Sequence, residues 1–249
     1  AQKEWFMALA VVLVSGFVQY WTLAHLPLKD YRPYADGESI IENRMTAEEL
    51  GLEGPEFDKE IRFYHPETGA ETLVMQSRYM DEKLWDKNNE PGKTFNETYP
   101  EGDWENAKEV KIKDGYEQRI MDFQMVDAGG FDLTDDILAS DKPVLLQVSK
   151  DLAVMSTAWQ DDFNALGQAA GDQGWSMYGL TNATAEEHAT FTAEHDATYP
   201  FLTCDQTELK IVVRANPGLV LIQNGVVVEK WAGRDVPSPE DLAELLSGR

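Results

Sequence analysis

The longest apolar stretch lies at the start of the chain. No Asp, Glu, Lys or Arg occurs in the 22 residues from Trp5 to Leu26. At about 1.5 Å of rise per residue, a helix of this length spans a hydrocarbon core of about 30 Å. Pro27 then ends the helix. The pattern therefore predicts one transmembrane helix over residues 1–26, with residues 5–26 in a lipid bilayer.

Two alternatives to a membrane helix are a buried helix of a soluble protein and a cleaved signal peptide. A buried helix of a soluble protein is rarely this long without a charge. A cleaved signal peptide usually has a shorter apolar region, a basic start and a small-residue cleavage site. Here the chain begins AQKE, and the far end of the stretch is bulky and aromatic. Gly16 and Gln19 lie inside it, where small and polar residues favour packing against other helices. We therefore expect other transmembrane subunits as partners.

The next part of the chain, residues 27–115, is polar and rich in turn formers, which predicts a juxtamembrane linker. Within it, Ile61–Tyr64 and Glu71–Gln76 flank the sequence HPETGA and predict a β-hairpin. Residues 86–115 are loop-like, so we expect an irregular excursion or partial disorder there.

From about Tyr116 the pattern becomes regular, and short apolar runs alternate with amphipathic segments. The predicted order is β-α-β-α-β-α-β-β-α, over Pro143–Val148, Thr157–Ala170, Trp175–Leu180, Thr184–His195, Tyr199–Leu202, Asp205–Val213, Pro217–Gln223, Val226–Trp231 and Ser238–Leu246. Asn224 and Gly225 between the last two strands predict a tight hairpin turn. Parallel βαβ units followed by a hairpin and a helix predict an α/β domain over 116–249.

The charge balance restricts the partners. The chain has 45 Asp and Glu against 21 Lys and Arg, a formal net charge of −24. This field repels the phosphates of nucleic acid and of anionic lipids, which excludes nucleic acid as a partner. The simplest interpretation of the acidity is solubility. A docking surface for a basic partner or for cations is the alternative.

Two motifs resemble known protein families. The run RANPGLVLIQNGVVVEKWAG resembles the thioredoxin pattern in which a proline, usually in a cis peptide, opens the hairpin. Pro217 would be that proline, preceded by Asn216. The run LPLKDYRPY, which contains Arg32, Pro33 and Tyr34, resembles the juxtamembrane LPxxDxRPY segment of DoxX-related membrane proteins of Bacteroidetes.

In the DoxX-related proteins, a transmembrane bundle precedes this segment and a thioredoxin-like domain follows it. The resemblance therefore implies a thioredoxin-like fold for residues 116–249. It also implies a bacterial inner-membrane location with the soluble domain in the periplasm, whereas the few visible positive charges favour the cytoplasmic side. The family's membrane part has several helices and this chain shows one. The chain is therefore either part of a longer protein or a form with a single helix.

Thioredoxin chemistry needs two cysteines in a CxxC at the start of the helix after the first central strand. That region reads SKDLAVMSTAW from Ser149, with no cysteine, and a peroxidatic cysteine is missing there too. The single cysteine, Cys204, lies at the end of a later strand. Ser149, Ser156 and Thr157 carry hydroxyls but have no sequence-local histidine base, and Thr157 with Gln160 has the spacing of a helix capping box.

Metal chemistry has little support in the sequence. His188 and His195 are seven residues apart on one predicted helix, and His65 or Cys204 would have to supply a third ligand. Two exposed histidines on a polar helix explain the same spacing. We therefore expect no catalytic residues, no metal site and no cofactor.

Three functions remain open from the sequence. The leading hypothesis is a non-catalytic, membrane-anchored thioredoxin-like protein that serves as an accessory, assembly or interaction subunit of a membrane complex. The second is a membrane-tethered thiol oxidoreductase or peroxidase-related enzyme that uses Cys204. The third is a sensor domain that binds cations or another ligand through the acidic surface.

Overall fold

The computed structural model describes residues 2–27, 29–81, 95 and 98–248. The chain divides into two compact units, one made of residues 1–44 with 119–249 and the other of residues 45–118. The larger unit contains seven of the described helices: α1 (Gln2–Ala24), α2 (Ile40–Arg44), α4 (Thr134–Leu138), α5 (Gln160–Gln173), α6 (Ala185–His195), α7 (Gln206–Val212) and α8 (Pro239–Ser247). Its strands are β4 (Val144–Ser149), β5 (Ser176–Thr181), β6 (Phe201–Thr203), β7 (Gly218–Gln223) and β8 (Val226–Ala232).

These five strands form one sheet in the order β6-β5-β4-β7-β8. The first three strands are parallel, and β7 and β8 are antiparallel to their neighbours. Parallel strands joined by helices, then an antiparallel hairpin and a last helix, make the mixed α/β thioredoxin-like fold. The elements of this part of the chain match the sequence prediction to within a few residues.

The central strand β4 explains how the sheet is covered on both faces. All six of its residues are buried. Val144, Leu146 and Val148 face one core cluster, and Leu145 faces the other, because side chains alternate along a strand. Helix α7 and residues near Tyr34 cover the first face, while α5, α6 and α8 cover the second.

Short backbone bridges cap both edges of the sheet. At β8, the Gly37 amide donates to the Val227 carbonyl (2.7 Å), and the Val227 amide donates to Glu38 (3.0 Å). At β6, Val126 and Thr203 exchange two backbone hydrogen bonds of 2.9 and 2.7 Å. The start of β8 and the end of β6 are therefore paired with segments outside the sheet.

The predicted Asn-Gly turn joins β7 and β8. Asn224 (φ 51°) and Gly225 (φ 71°) both adopt left-handed backbone, as a tight hairpin turn requires. A Cβ on Gly225 would lie 2.3 Å from Ile41 Cδ1, so glycine also permits close packing against α2.

The smaller unit is built on a three-stranded antiparallel sheet. Its described elements are β1 (Glu56–Tyr64), β2 (Glu71–Met75), β3 (Glu101–Lys113) and the short helix α3 (Gln76–Tyr79), with strand order β2-β1-β3. The predicted hairpin is present as β1 and β2. The prediction of an irregular excursion over 86–115 is wrong for β3, and the part of it at 86–94 and 96–97 lies outside the described residues. Most residues of β3 are polar and exposed, so the strand lacks apolar alternation and is held by backbone pairing with β1.

Large apolar side chains of helix α1 are exposed. Trp5, Phe6 and Phe17 are 78%, 72% and 61% exposed. Among the described residues, no helix reaches the length and apolarity needed to cross a membrane, so the predicted transmembrane helix is not confirmed.

Candidate functional site

The position of thiol chemistry in this fold is the turn between β4 and α5, beside the proline before β7. The Asn216–Pro217 peptide is cis, as the thioredoxin pattern implies. The Ser149 hydroxyl donates to Asn216 Oδ1 (2.8 Å), and Asn216 Nδ2 donates to the Asp151 carbonyl (3.0 Å). Asn216 thus ties both sides of the turn to the cis peptide.

The turn holds no group that is set up as a nucleophile. Ser149 is 1% exposed, and its hydroxyl donates to an amide oxygen rather than to a base. The Ser156 amide donates to the Asn216 carbonyl (3.4 Å), and Thr157 is exposed. Activation of a hydroxyl requires an adjacent general base, which neither serine hydroxyl has among its described hydrogen-bond partners.

The predicted capping box of Thr157 and Gln160 is wrong. Helix α5 begins at Gln160, and its N-cap residue Trp159 makes no side-chain capping bond. The Gln160 side chain lies instead in the core, where it accepts a hydrogen bond from Gln147 Nε2 (3.0 Å) and donates to Tyr199 Oη (2.9 Å). Tyr199 in turn donates to Gln147 Oε1 (2.7 Å). Burial of a neutral polar side chain is compensated by such bonds, and capping would have left Gln160 at the surface.

Cys204 lies just after β6 and is 4% exposed. Burial, with smaller contributions from the negative charges of Glu208 and Asp205, raises the pKa of its thiol to about 12. The nucleophile in thiol exchange is the thiolate, so a thiol with this pKa is largely unreactive at neutral pH. Cys204, predicted as a possible reactive thiol, is therefore buried and protonated.

The segment that follows α1 is fixed to the rest of the larger unit through residues of the LPLKDYRPY motif. The Tyr34 hydroxyl donates to Glu208 Oε2 (2.7 Å), and Tyr34 is fully buried. Burial raises the pKa of Tyr34, and the bond to Glu208 adds to the rise. The Pro33 carbonyl accepts a bond from Asn43 Nδ2 (2.7 Å). Arg32 lies beside Asp30, where its Nη2 donates to Oδ2 at 2.8 Å.

Asp30 also binds a lysine on β8. Lys230 Nζ is 2.6 Å from Asp30 Oδ2 and 3.2 Å from the Val212 carbonyl, and the Lys230 side chain is only 3% exposed. Burial lowers the pKa of Lys230, and Asp30 offsets part of that effect. Burial alone would raise the pKa of Asp30, but hydrogen bonds from Arg32 and Lys230 hold it well below its usual range. The sequence prediction included Arg32 but missed Asp30, Lys230 and Glu208. The available signal was a lysine within the apolar β8 run VVVEKWA.

The histidines that were considered as metal ligands have other partners. His188 is 7% exposed and its Nε2 lies 2.7 Å from Thr181 Oγ1, while the His195 ring packs on Phe191. Burial lowers the pKa of His188. Within the described ranges, no group of three or more His, Cys, Asp or Glu residues is arranged to hold a metal ion.

The structure places the remaining predicted residues apart from the turn after β4. Gly16 lies on α1, where a Cβ would have nothing within 4 Å, and Gln19 is exposed on the same helix. Asn224 and Gly225 form the hairpin turn, and the Gly225 carbonyl accepts a bond from the Ile40 amide (2.8 Å). Of the predicted residues, Ser149, Asn216 and Pro217 come together.

Comparison with known proteins gives similarity at the level of fold. Neither a protein-family model nor a curated protein matches the chain. A thioredoxin-like protein from Aeropyrum pernix is 14% identical, with a TM-score of 0.40 over 51% of this chain and 89% of its own. A peroxidoxin from Mycobacterium tuberculosis is 19% identical, with a TM-score of 0.40 over 52% and 95%. A thiol:disulfide interchange protein from Bacteroides sp. is 19% identical, with a TM-score of 0.36 over 43% and 75%.

Proposed function

We propose that this protein is a non-catalytic accessory or interaction subunit of a membrane complex. The observation that carries the proposal is the turn between β4 and α5, which has no thiol and is closed by the two hydrogen bonds of Asn216. A thioredoxin-like scaffold in this state keeps its shape and its surfaces but has no group able to exchange disulfides. Interaction is then the function that the scaffold can still perform.

Helix α1 supports attachment to a membrane complex. Its exposed apolar side chains, such as Trp5 and Phe17, need an apolar environment, which lipid or the helices of other membrane subunits would supply. We propose that the protein is held at the bacterial inner membrane through residues 5–26 and that the larger unit faces the periplasm. A reporter fused after the last residue, read as active on only one side of the membrane, tests the orientation.

The function is tested by purifying the full chain in mild detergent from the membranes of the cells that produce it. We expect co-purifying membrane subunits in a fixed ratio that survives gel filtration. A lone monomer at every detergent concentration would contradict the proposal. Isolation from a strain lacking the gene should show the same complex smaller or less stable, which distinguishes a subunit from a contaminant.

The enzymatic alternative is tested with Cys204→Ser. If Cys204 were a redox centre, the wild type would reduce insulin or peroxide and the variant would not. We expect background rates in both, because the thiol is buried and its pKa is about 12. A rate above background that is lost in the variant would establish the enzyme instead. Calorimetry with divalent cations on the full chain tests the sensor alternative.

A further inference from the structure

A groove lies between the turn that follows β4 and helix α6. Its cavity volume is about 400 Å³, within the range of sites that bind small molecules or peptide side chains. Leu152, Met155 and Phe191 line its apolar floor, and the last two are 7% exposed. The floor of the groove is therefore apolar, with Leu152 partly exposed in it and Met155 and Phe191 largely buried.

Carboxylates line the α6 side of this groove. Glu186, Glu187 and Glu194 line the groove, and Thr190 lies between them on the same face of α6 because residues four apart are neighbours on a helix. No described lysine or arginine forms an ion pair with any of the three glutamates. Helix α6 itself has no lysine or arginine.

Helix stability explains two of these glutamates but not the third. Glu187 completes a capping box with Thr184, and Glu186 lies in the first turn, where the helix dipole favours negative charge. Glu194 lies in the last turn of α6, where the same dipole disfavours a carboxylate. The position of Glu194 therefore costs stability, and a cation seated in the groove would offset that cost.

We propose that this groove docks a cationic segment of a partner protein, with one apolar side chain on the floor and lysine or arginine side chains against Glu186, Glu187 and Glu194. Charge complementarity selects this occupant, since an acidic rim repels nucleic acid, anionic lipid and acidic peptides. The apolar floor separates it from a small cation, which would gain nothing from Leu152 or Phe191. The assignment rests on the proposed function, because it names the chemistry of the partner.

The test uses the full chain in non-ionic detergent and three fluorescent pentapeptides. The first has a leucine flanked on each side by two lysines, the second replaces leucine by serine, and the third replaces lysine by glutamate. Fluorescence anisotropy should show binding of the first peptide, about tenfold weaker binding of the second and none of the third. Raising the salt from about 50 to 500 mM should weaken binding of the first peptide several-fold.

Matched variants locate the binding. Glu186→Gln/Glu194→Gln should weaken binding of the first peptide about tenfold, and Thr190→Lys should abolish it. The control pair Glu240→Gln/Glu244→Gln removes two charges from α8 and should change affinity less than twofold. Circular dichroism and thermal unfolding verify that each variant is folded.

Three results would overturn the groove assignment. The first is equal affinity for the leucine and serine peptides, and the second is equal affinity of the α6 and α8 variants. The third is spermine that competes equally with both lysine peptides, which would mean that the general acidity of the chain, and not the groove, explains binding. If membrane subunits co-purify while the α6 variants bind normally, the groove fails and the proposed function stands. If the protein is a lone monomer yet the peptide results hold, the groove assignment stands and the proposed function fails.

Discussion

Two clusters of buried polar side chains lie in the larger unit, and they differ in charge. The first joins Asp30 to Lys230 and Arg32. The second joins Gln147, Gln160 and Tyr199 through neutral hydrogen bonds of 2.7–3.0 Å. The neutral network links β4, α5 and the segment before β6, all of which belong to the thioredoxin-like fold itself. The charged cluster links β8 to the segment that follows α1.

The difference shows how an additional segment is fixed to a scaffold whose own buried polar side chains are already hydrogen-bonded. Desolvation of an ion pair costs several kcal/mol, so a buried pair adds little net stability compared with apolar residues of the same size. Its strength is specificity, because buried Lys230 without Asp30 is severely penalised. The segment from Asp30 to Tyr34 is thus held in one position, and five residues separate it from the end of α1 at Ala24. A second contact, His25 Nδ1 to Asp235 Oδ2 (2.8 Å), fixes the same end of α1.

The largest expected effect comes from breaking the charged cluster. Asp30→Ala removes the carboxylate that is hydrogen-bonded to buried Lys230 and leaves only the electrostatic attraction of Asp36, so we expect a loss of about 3 kcal/mol in the free energy of unfolding. Urea unfolding of the full chain in detergent, followed by tryptophan fluorescence, measures it. Asp122→Ala is the control, since Asp122 is exposed and has no described partner, and it should change stability by less than about 0.5 kcal/mol. Equal losses in the two variants would show that the cluster does not hold the segment.

A smaller effect is expected from the neutral network. Tyr199→Phe removes the donor to Gln147 Oε1 and leaves that buried oxygen without its bond, which should cost about 1.5 kcal/mol. Tyr178→Phe is the matched control, because the Tyr178 hydroxyl has no hydrogen-bond partner among the described residues. The control should stay within about 0.5 kcal/mol of the wild type. A larger loss for Tyr199→Phe than for Asp30→Ala would reverse the comparison between the two clusters.

The two clusters also differ in how far the sequence could predict them. The order of helices and strands in the larger unit follows from apolar runs and caps, because these signals are local. The motif resemblance identified Arg32 and Tyr34 as important. Their role in fixing the segment depends on Asp30 and Lys230, which are 200 residues apart in sequence, and no local pattern reports such a pairing.

Gln160 shows a second limit of sequence reasoning. Its spacing from Thr157 is that of a capping box, and a local hydrogen bond was the natural prediction. In the structure, burial against Gln147 and Tyr199 overrides the local preference, because each buried amide needs its partners. Strand β3 is missed for a related reason: its partner β1 stabilises it, and its own side chains carry no apolar period.

A second variant of the charged cluster, Lys230→Met, removes the lysine instead of the carboxylate. This variant removes the buried cation but leaves Asp30 with its two bonds from the Arg32 guanidinium, at 2.8 Å each. No buried charge is stranded, so we expect a loss of only about 1 kcal/mol in the free energy of unfolding. Lys210→Met, at an exposed position on α7, is the control. Losses of the same size in Asp30→Ala and Lys230→Met would mean that Arg32 contributes nothing to holding Asp30.

The smallest expected effect is a pH dependence of stability that the charged cluster should show and the neutral network should not. The folded pKa of Asp30 lies below its unfolded value of about 3.9, so its contribution is complete above about pH 5 and is lost as the pH falls. The stability difference between wild type and Asp30→Ala should therefore narrow by about 0.3 kcal/mol between pH 6 and pH 4. Other carboxylates titrate alike in both proteins and cancel in the difference. The difference between wild type and Tyr199→Phe should stay constant over this range, since neither amide nor phenol titrates there. A constant difference for Asp30→Ala would show that its carboxylate is not held in its charged form by Arg32 and Lys230.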